Sequence, residues 1–183
     1  MLVLSVTKAL NIVADVCSVL ASLPDDSVIA VHVSHFFEHI NNIQGLSSEI
    51  TRVMLSSATL IVSVPHFCNP YCYSDPTHVR QFGLYLFCYL TRSHYPFRRL
   101  VPDYALNSSL ALTSVSLQFQ APFRGGIRSL LAKILNILFN RSIFLQELYE
   151  GSFVYLLPCY TLTYNVSCIA RINFQSIDSA KML

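Results

Sequence analysis

Two stretches hold most of the side chains able to do chemistry. Ser34-His35-Phe36-Phe37-Glu38-His39-Ile40 brings two imidazoles and a carboxylate together, and Pro65-His66-Phe67-Cys68-Asn69-Pro70-Tyr71-Cys72-Tyr73-Ser74-Asp75-Pro76-Thr77-His78 adds two imidazoles, two thiols and another carboxylate. Imidazole titrates near neutrality, so His78 or His66, with Asp75 nearby, has the chemistry of a general base. The other reading of 69–78 is a rigid loop, its path fixed by Pro70 and Pro76 and its His and Asp hydrogen-bonded internally.

Each stretch follows a short, apolar, β-branched run, Val28–Val33 and Thr59–Val64. Between them lies a helix-length segment ending at Met54, for which Asn42 or Ser47 is a suitable N-cap and in which Glu49 and Arg52 are spaced to pair. The pattern predicts a strand, a crossover helix and a parallel strand, with both strands buried on two faces. Such units carry their chemistry at the carboxyl ends of the strands, where both clusters fall. Further on, Ala111–Gln120 alternates and predicts a strand buried through Val115, Leu117 and Phe119. Ile127–Asn140 has Leu130, Leu131, Ile134, Leu135 and Leu138 at helical spacing, with Arg124, Arg128, Lys133 and Arg141 around it; it is read as a core-facing or substrate-domain helix, the alternative being a helix that lies on an anionic membrane surface.

The pieces, in order, resemble the second half of a class I S-adenosylmethionine-dependent methyltransferase of the type 11 kind. They are Leu23-Pro24-Asp25-Asp26-Ser27-Val28, His35–Ile40, Glu49–Met54, the strand Leu60–Val64 running into Pro65-His66-Phe67, and Asn69–His78 followed by Phe82-Gly83-Leu84-Tyr85. The resemblance implies a truncated Rossmann-like fold with a mostly parallel sheet and an antiparallel C-terminal strand. It also implies methyl transfer to a small-molecule or sugar acceptor, with His78, Asp75 and His66 as catalytic candidates and Tyr73, Asp75 and His78 as substrate contacts. Asp15, Val16, Ser34 and His35 would take cofactor-binding positions, Asp15 accepting from the adenine amino group; the competing reading makes Asp15 the N-cap of a short helix over 16–21.

Two departures bear on activity. The sequence has no G-x-G-x-G, the turn that lets backbone approach the cofactor closely, so cofactor binding is expected to be weak or lost and a non-catalytic binding remnant is the alternative function. The family's Pro-Gly-Gly turn before its fifth strand is here Leu55-Ser56-Ser57-Ala58, so the turn must differ or be strained. In the family only the first strand touches the fourth. With that strand missing, Asn11–Asp15 or Leu2–Val6 is expected to pair in parallel beside Val28–Val33, unless a second copy or a complementing N-terminal segment covers the edge.

His35-x-x-Glu38-His39 also matches the H-x-x-E-H of inverted zincin metalloproteases. That chemistry needs both histidines on one helical face and a further carboxylate ligand, whereas this pentapeptide follows a strand directly. Cys68 and Cys72 lack a second ligand pair, so no residue is assigned to a metal.

Of the 183 residues, 53% are hydrophobic and 12% charged, with a net charge of +2. That supports one domain over 1–172 with a polar tail at 173–183, and it gives no electrostatic footprint for nucleic acid. The apolar stretches 53–74 and 153–170 are interrupted by Pro65, Pro70 and Pro158, which argues against membrane spans. The six cysteines and the lack of an ordinary signal peptide predict reduced thiols in a cytoplasmic protein.

Overall fold

The computed structural model describes residues 2–5, 15–92, 96–102, 108–120 and 126–169. Its strands are β1 (Leu2–Ser5), β2 (Val28–Ser34), β3 (Met54–Pro65), β4 (Leu110–Gln118) and β5 (Thr161–Cys168). They form one sheet in the order β1-β2-β3-β5-β4. β2 and β3 run parallel, joined by the helix α2 (Ile43–Val53), whose N-cap Asn42 accepts the N–H of Gly45 at 2.9 Å. β5 inserts antiparallel between β3 and β4. Thus β2, β3 and β4 point one way and the C-terminal strand runs against them, the mixed α/β sheet expected from the sequence.

Register is fixed by buried rows running across the sheet. Val31, Leu60, Val166 and Leu112 stand side by side, then Val33, Val62, Tyr164 and Val115, then Val64, Leu162 and Leu117. All are buried in one continuous core. Burying each Val or Leu contributes ~1.5–3 kcal/mol, and a one-residue slip would turn a whole row to the other face. Strict alternation would put Leu112 and Val115 on opposite faces. A bulge at Thr113 shifts the phase and lets both point inward.

Contrary to the two-sided burial read from the sequence, β2 and β3 are buried on one face. Among the described residues the opposite face carries the rows His32, Ile61, Asn165 and Ser114, then Ser34, Ser63, Thr163 and Ser116. Polar side chains there bond across strands: Ser63 and Thr163 lie 3.1 Å apart, and Asn165 Nδ2 donates to Ser114 Oγ at 2.8 Å. Ile29 is left 53% exposed on β2.

The edge beyond β2 is also corrected. Leu2–Ser5 does lie beside Val28–Val33, but antiparallel, with Leu2 opposite Val33 and Ser5 opposite Ala30. The chain therefore leaves β1 near the end of the sheet where β2 begins, with no crossover needed. Residues 11–14 and the tail 173–183 lie outside the described residues. Helix α1 (Val16–Ser22) is capped by Asp15, whose Oδ2 accepts from the Ser18 N–H at 2.9 Å. Arg52 ties this helix to α2, donating to the carbonyls of Leu20 at 2.8 Å and Leu23 at 3.0 Å while pairing with Glu49 and Asp25.

The turn without glycine is strained. Ser57 sits at φ 71°, inside the irregularity where the β2–β3 register skips between Val28 and Ala30. The helix α3 (Ile127–Phe139) is corrected too: it buries Leu135 and Phe139, while Leu130, Leu131, Ile134 and Leu138 are exposed. It is followed by α4 (Ile143–Leu148) and a π-helical turn at Tyr149–Phe153. Among the described residues no helix is long and apolar enough to cross a membrane.

Candidate functional site

Because β2 and β3 are parallel, they deliver the two polar stretches to the same edge of the sheet. The chain leaves β2 through His35, held at φ 47° with its N–H donating to the Ser63 carbonyl at 2.8 Å. A non-glycine residue in the left-handed region is strained, a feature that concentrates at functional sites. A 3₁₀ turn at Phe37–His39 follows, which buries Glu38 and leaves His39 half-buried. Glu38 Oε1 lies 3.3 Å from His35 Nδ1, whereas Glu38 Oε2 is buried without a hydrogen-bond partner.

The loop after β3 is built on side chains that replace regular structure. Asn69 accepts from the Tyr71 N–H at 2.9 Å and donates to the Tyr160 carbonyl at 3.0 Å. Asp75 Oδ1 accepts from both the N–H and the hydroxyl of Thr77, at 2.9 and 2.6 Å, which holds its carboxyl below the usual range. His78 Nδ1 meets the Cys72 carbonyl at 2.9 Å, and His78 Nε2 is 3.7 Å from Asp75 Oδ2. The internally bonded loop and the candidate site are thus one structure. It docks on the first stretch through the Val79 N–H on the Glu38 carbonyl at 2.9 Å and Thr77 Oγ1 against His39 Nδ1 at 2.9 Å. The His39 and His78 rings meet edge to face, 4.9 Å apart.

His66 belongs elsewhere. Its ring is fully buried, so it does not reach an acceptor in the cleft. Nδ1 contacts Cys68 Sγ at 2.9 Å and Nε2 contacts Glu150 Oε2 at 3.2 Å, the same oxygen that accepts the Leu84 N–H at 2.8 Å. Burial by itself would lower the His66 pKa, but the bonds to Cys68 and Glu150 outweigh it and the pKa is raised. For Cys68 burial opposes ionisation, yet the hydrogen bond and charge of His66 bring the thiol below its ordinary value. Glu150 was missed by sequence reasoning. Its signal is that, with Glu147, it ends a stretch, 104–146, that has no acid at all.

A cavity of about 570 Å³ opens beside the paired loops, lined by Asn41, Asn42, Gln44, Arg80 and Tyr89 among others. Arg80 donates to the Asn41 carbonyl at 2.9 Å, and its Nε is buried without a partner. Neither Tyr73, Asp75 nor His78 lines it, although Asn41 and Arg80 follow His39 and His78 by only two positions each. Tyr73 is exposed, as are Ser34 and His35.

No family model matches the sequence, and no curated protein matches it. The structure, however, superposes on a SAM-dependent methyltransferase from Archaeoglobus fulgidus with a TM-score of 0.50 at 16% identity, over 85% of this chain. The fold is that of a class I S-adenosylmethionine-dependent methyltransferase. The chain spans 66%, just under two thirds, of that protein's length. A methyltransferase from Mesorhizobium loti superposes at a TM-score of 0.42 and 12% identity, over 81% of this chain and 66% of its own.

In the class I fold the strand beside β2 and its glycine turn carry the cofactor. Here that neighbour is the antiparallel Leu2-Val3-Leu4-Ser5, and the Asp15 carboxylate is engaged as a helix cap. Ser34 and His35 do lie at the carboxyl end of β2, at the required edge. Among the described residues they are joined there by no glycine turn.

Proposed function

We propose that this chain is the acceptor-binding half of a methyltransferase site: it holds a small-molecule or sugar acceptor and, by itself, binds S-adenosylmethionine weakly. The observation that carries this is the pairing of parallel β2 and β3 in a methyltransferase-fold sheet, beside whose carboxyl ends lies a cavity lined by Asn41, Asn42, Gln44 and Arg80 together with the apolar Ile43, Leu86 and Leu90. The cavity volume suits a sugar-sized ligand, and Asn41, Asn42, Gln44 and the unpartnered Arg80 Nε are hydrogen-bonding groups for hydroxyls. His78, with Nδ1–H on a carbonyl and Nε2 carrying a lone pair, is the group able to take a proton from an acceptor hydroxyl. A methyl transfer would further need the cofactor's glycine turn, which a complementing segment would have to supply.

The competing reading, a remnant that binds without catalysis, is favoured by the antiparallel β1 at the cofactor edge. Ligand-observed NMR against a panel of monosaccharides and small alcohols and amines tests the shared part. Binding should be lost in Arg80→Ala and weakened in Gln44→Ala, since both side chains line the cavity. A panel without binders, or binding indifferent to both substitutions, overturns the acceptor site.

A further inference from the structure

We infer that Glu38, His39 and His78 form a binding site for a divalent first-row transition metal ion. One ligand atom from each lies within 4.8 Å of the other two. The sequence assigns no metal ligand, because its local patterns group His35 with His39 and, separately, His66 and His78 with Cys68 and Cys72. The fold separates the first two: His35 turns out of the strand end, and His78, from the loop after β3, takes its place.

Three features point to a built site. First, Glu38 is buried and its Oε2 has no hydrogen-bond partner, an arrangement that is costly for a carboxylate unless a cation completes it. Second, both imidazoles are oriented through Nδ1. The Thr77 hydroxyl already donates to Asp75 Oδ1 at 2.6 Å, so His39 Nδ1 must be the donor toward Thr77 Oγ1 at 2.9 Å and the Thr77 carbonyl at 3.3 Å. His78 Nδ1 likewise donates to the Cys72 carbonyl at 2.9 Å. Each ring thereby keeps its Nε2 lone pair, and an N–H held by an oxygen is the usual support of a metal-ligating histidine. Third, Asp75 Oδ2, 3.7 Å from His78 Nε2, adds negative charge beside the group.

Two imidazoles and one carboxylate suit zinc and its first-row neighbours better than magnesium or calcium, which take oxygen ligands. Metal–ligand distances of about 2.0–2.2 Å require the three atoms to draw together from their present spacing by about an ångström. An ion held this way would leave positions open toward the cleft. His78 would then serve as a ligand, and the role of base proposed above would pass from it; the metal site itself does not depend on cofactor or acceptor binding.

The test uses the full chain, stripped with chelator and free of S-adenosylmethionine. Titration with Zn²⁺ by calorimetry and with Co²⁺ by visible absorption should show one equivalent bound. His39→Ala and His78→Ala should each weaken binding by more than the about 10–100-fold that loss of a ligand's hydrogen-bond partner costs, while His32→Ala, on the open sheet face, should leave it unchanged. If either alanine variant loses the wild-type circular dichroism, His39→Gln and His78→Gln carry the same readout. Less than one equivalent bound, or affinity unaffected by the His39 and His78 substitutions, overturns the site.

Discussion

At the residue scale the most unusual group is the buried His66 with its half-buried partners Cys68 and Glu150. The Cys68 sulfur also accepts the Cys159 N–H at 3.2 Å, so its thiolate is solvated by protein donors. Cys159, by contrast, is deeply buried and its thiol is pushed up, and Cys88 is pushed up to about 11 by burial. Alkylation rates followed by mass spectrometry against pH should therefore give Cys68 a midpoint below the ordinary thiol value, with Cys88 reacting only at higher pH. Removing the imidazole in His66→Gln takes away the donor and charge that lower the thiol, so the Cys68 midpoint should move up. An unchanged midpoint would show that the pairing does not control this thiol. Positions 66 and 68 stand out in the sequence, but Glu150 reaches them from 84 residues away, a closeness that only the fold creates.

At the element scale, the crossover unit was legible because its signals are local: β-branched runs, the Asn42 cap and the Glu49–Arg52 pair all sit where the sequence puts them. What was not legible was which face each element shows. Val28–Val33 reads as uniformly apolar, yet His32 and the partner positions Ser63 and Thr163 mark one face as open, which needs the register to see. Helix α3 has enough apolar positions to fit either side. Leu135→Ala should cost about 2–5 kcal/mol in urea unfolding, the usual range for a buried leucine, whereas Leu130→Ala should change stability by less than about 0.5 kcal/mol. Equal costs would place Leu130 in the core. Ser57 offers the opposite sign. Relieving its left-handed backbone in Ser57→Gly should raise stability by about 0.5–1 kcal/mol, the strain of about 1–2 kcal/mol less the added chain entropy of glycine. A loss of stability would mean that the Ser57 side chain matters more than its φ.

At the scale of the whole molecule, the antiparallel C-terminal strand was expected from the resemblance, while its insertion between β3 and β4 and the antiparallel β1 at the other edge are visible only in the fold. Leu2–Val6 contains no residue that selects a strand direction, and the choice depends on where the chain must go next. That choice matters for function, because β1 occupies the edge from which a class I fold would present its cofactor turn. The proposed weak binding of S-adenosylmethionine rests on this antiparallel edge strand. Isothermal titration of the full chain with S-adenosylmethionine tests this most directly. The account predicts heats too weak to fit, or a Kd far above the low micromolar range, and a one-to-one isotherm with a low micromolar Kd would contradict it.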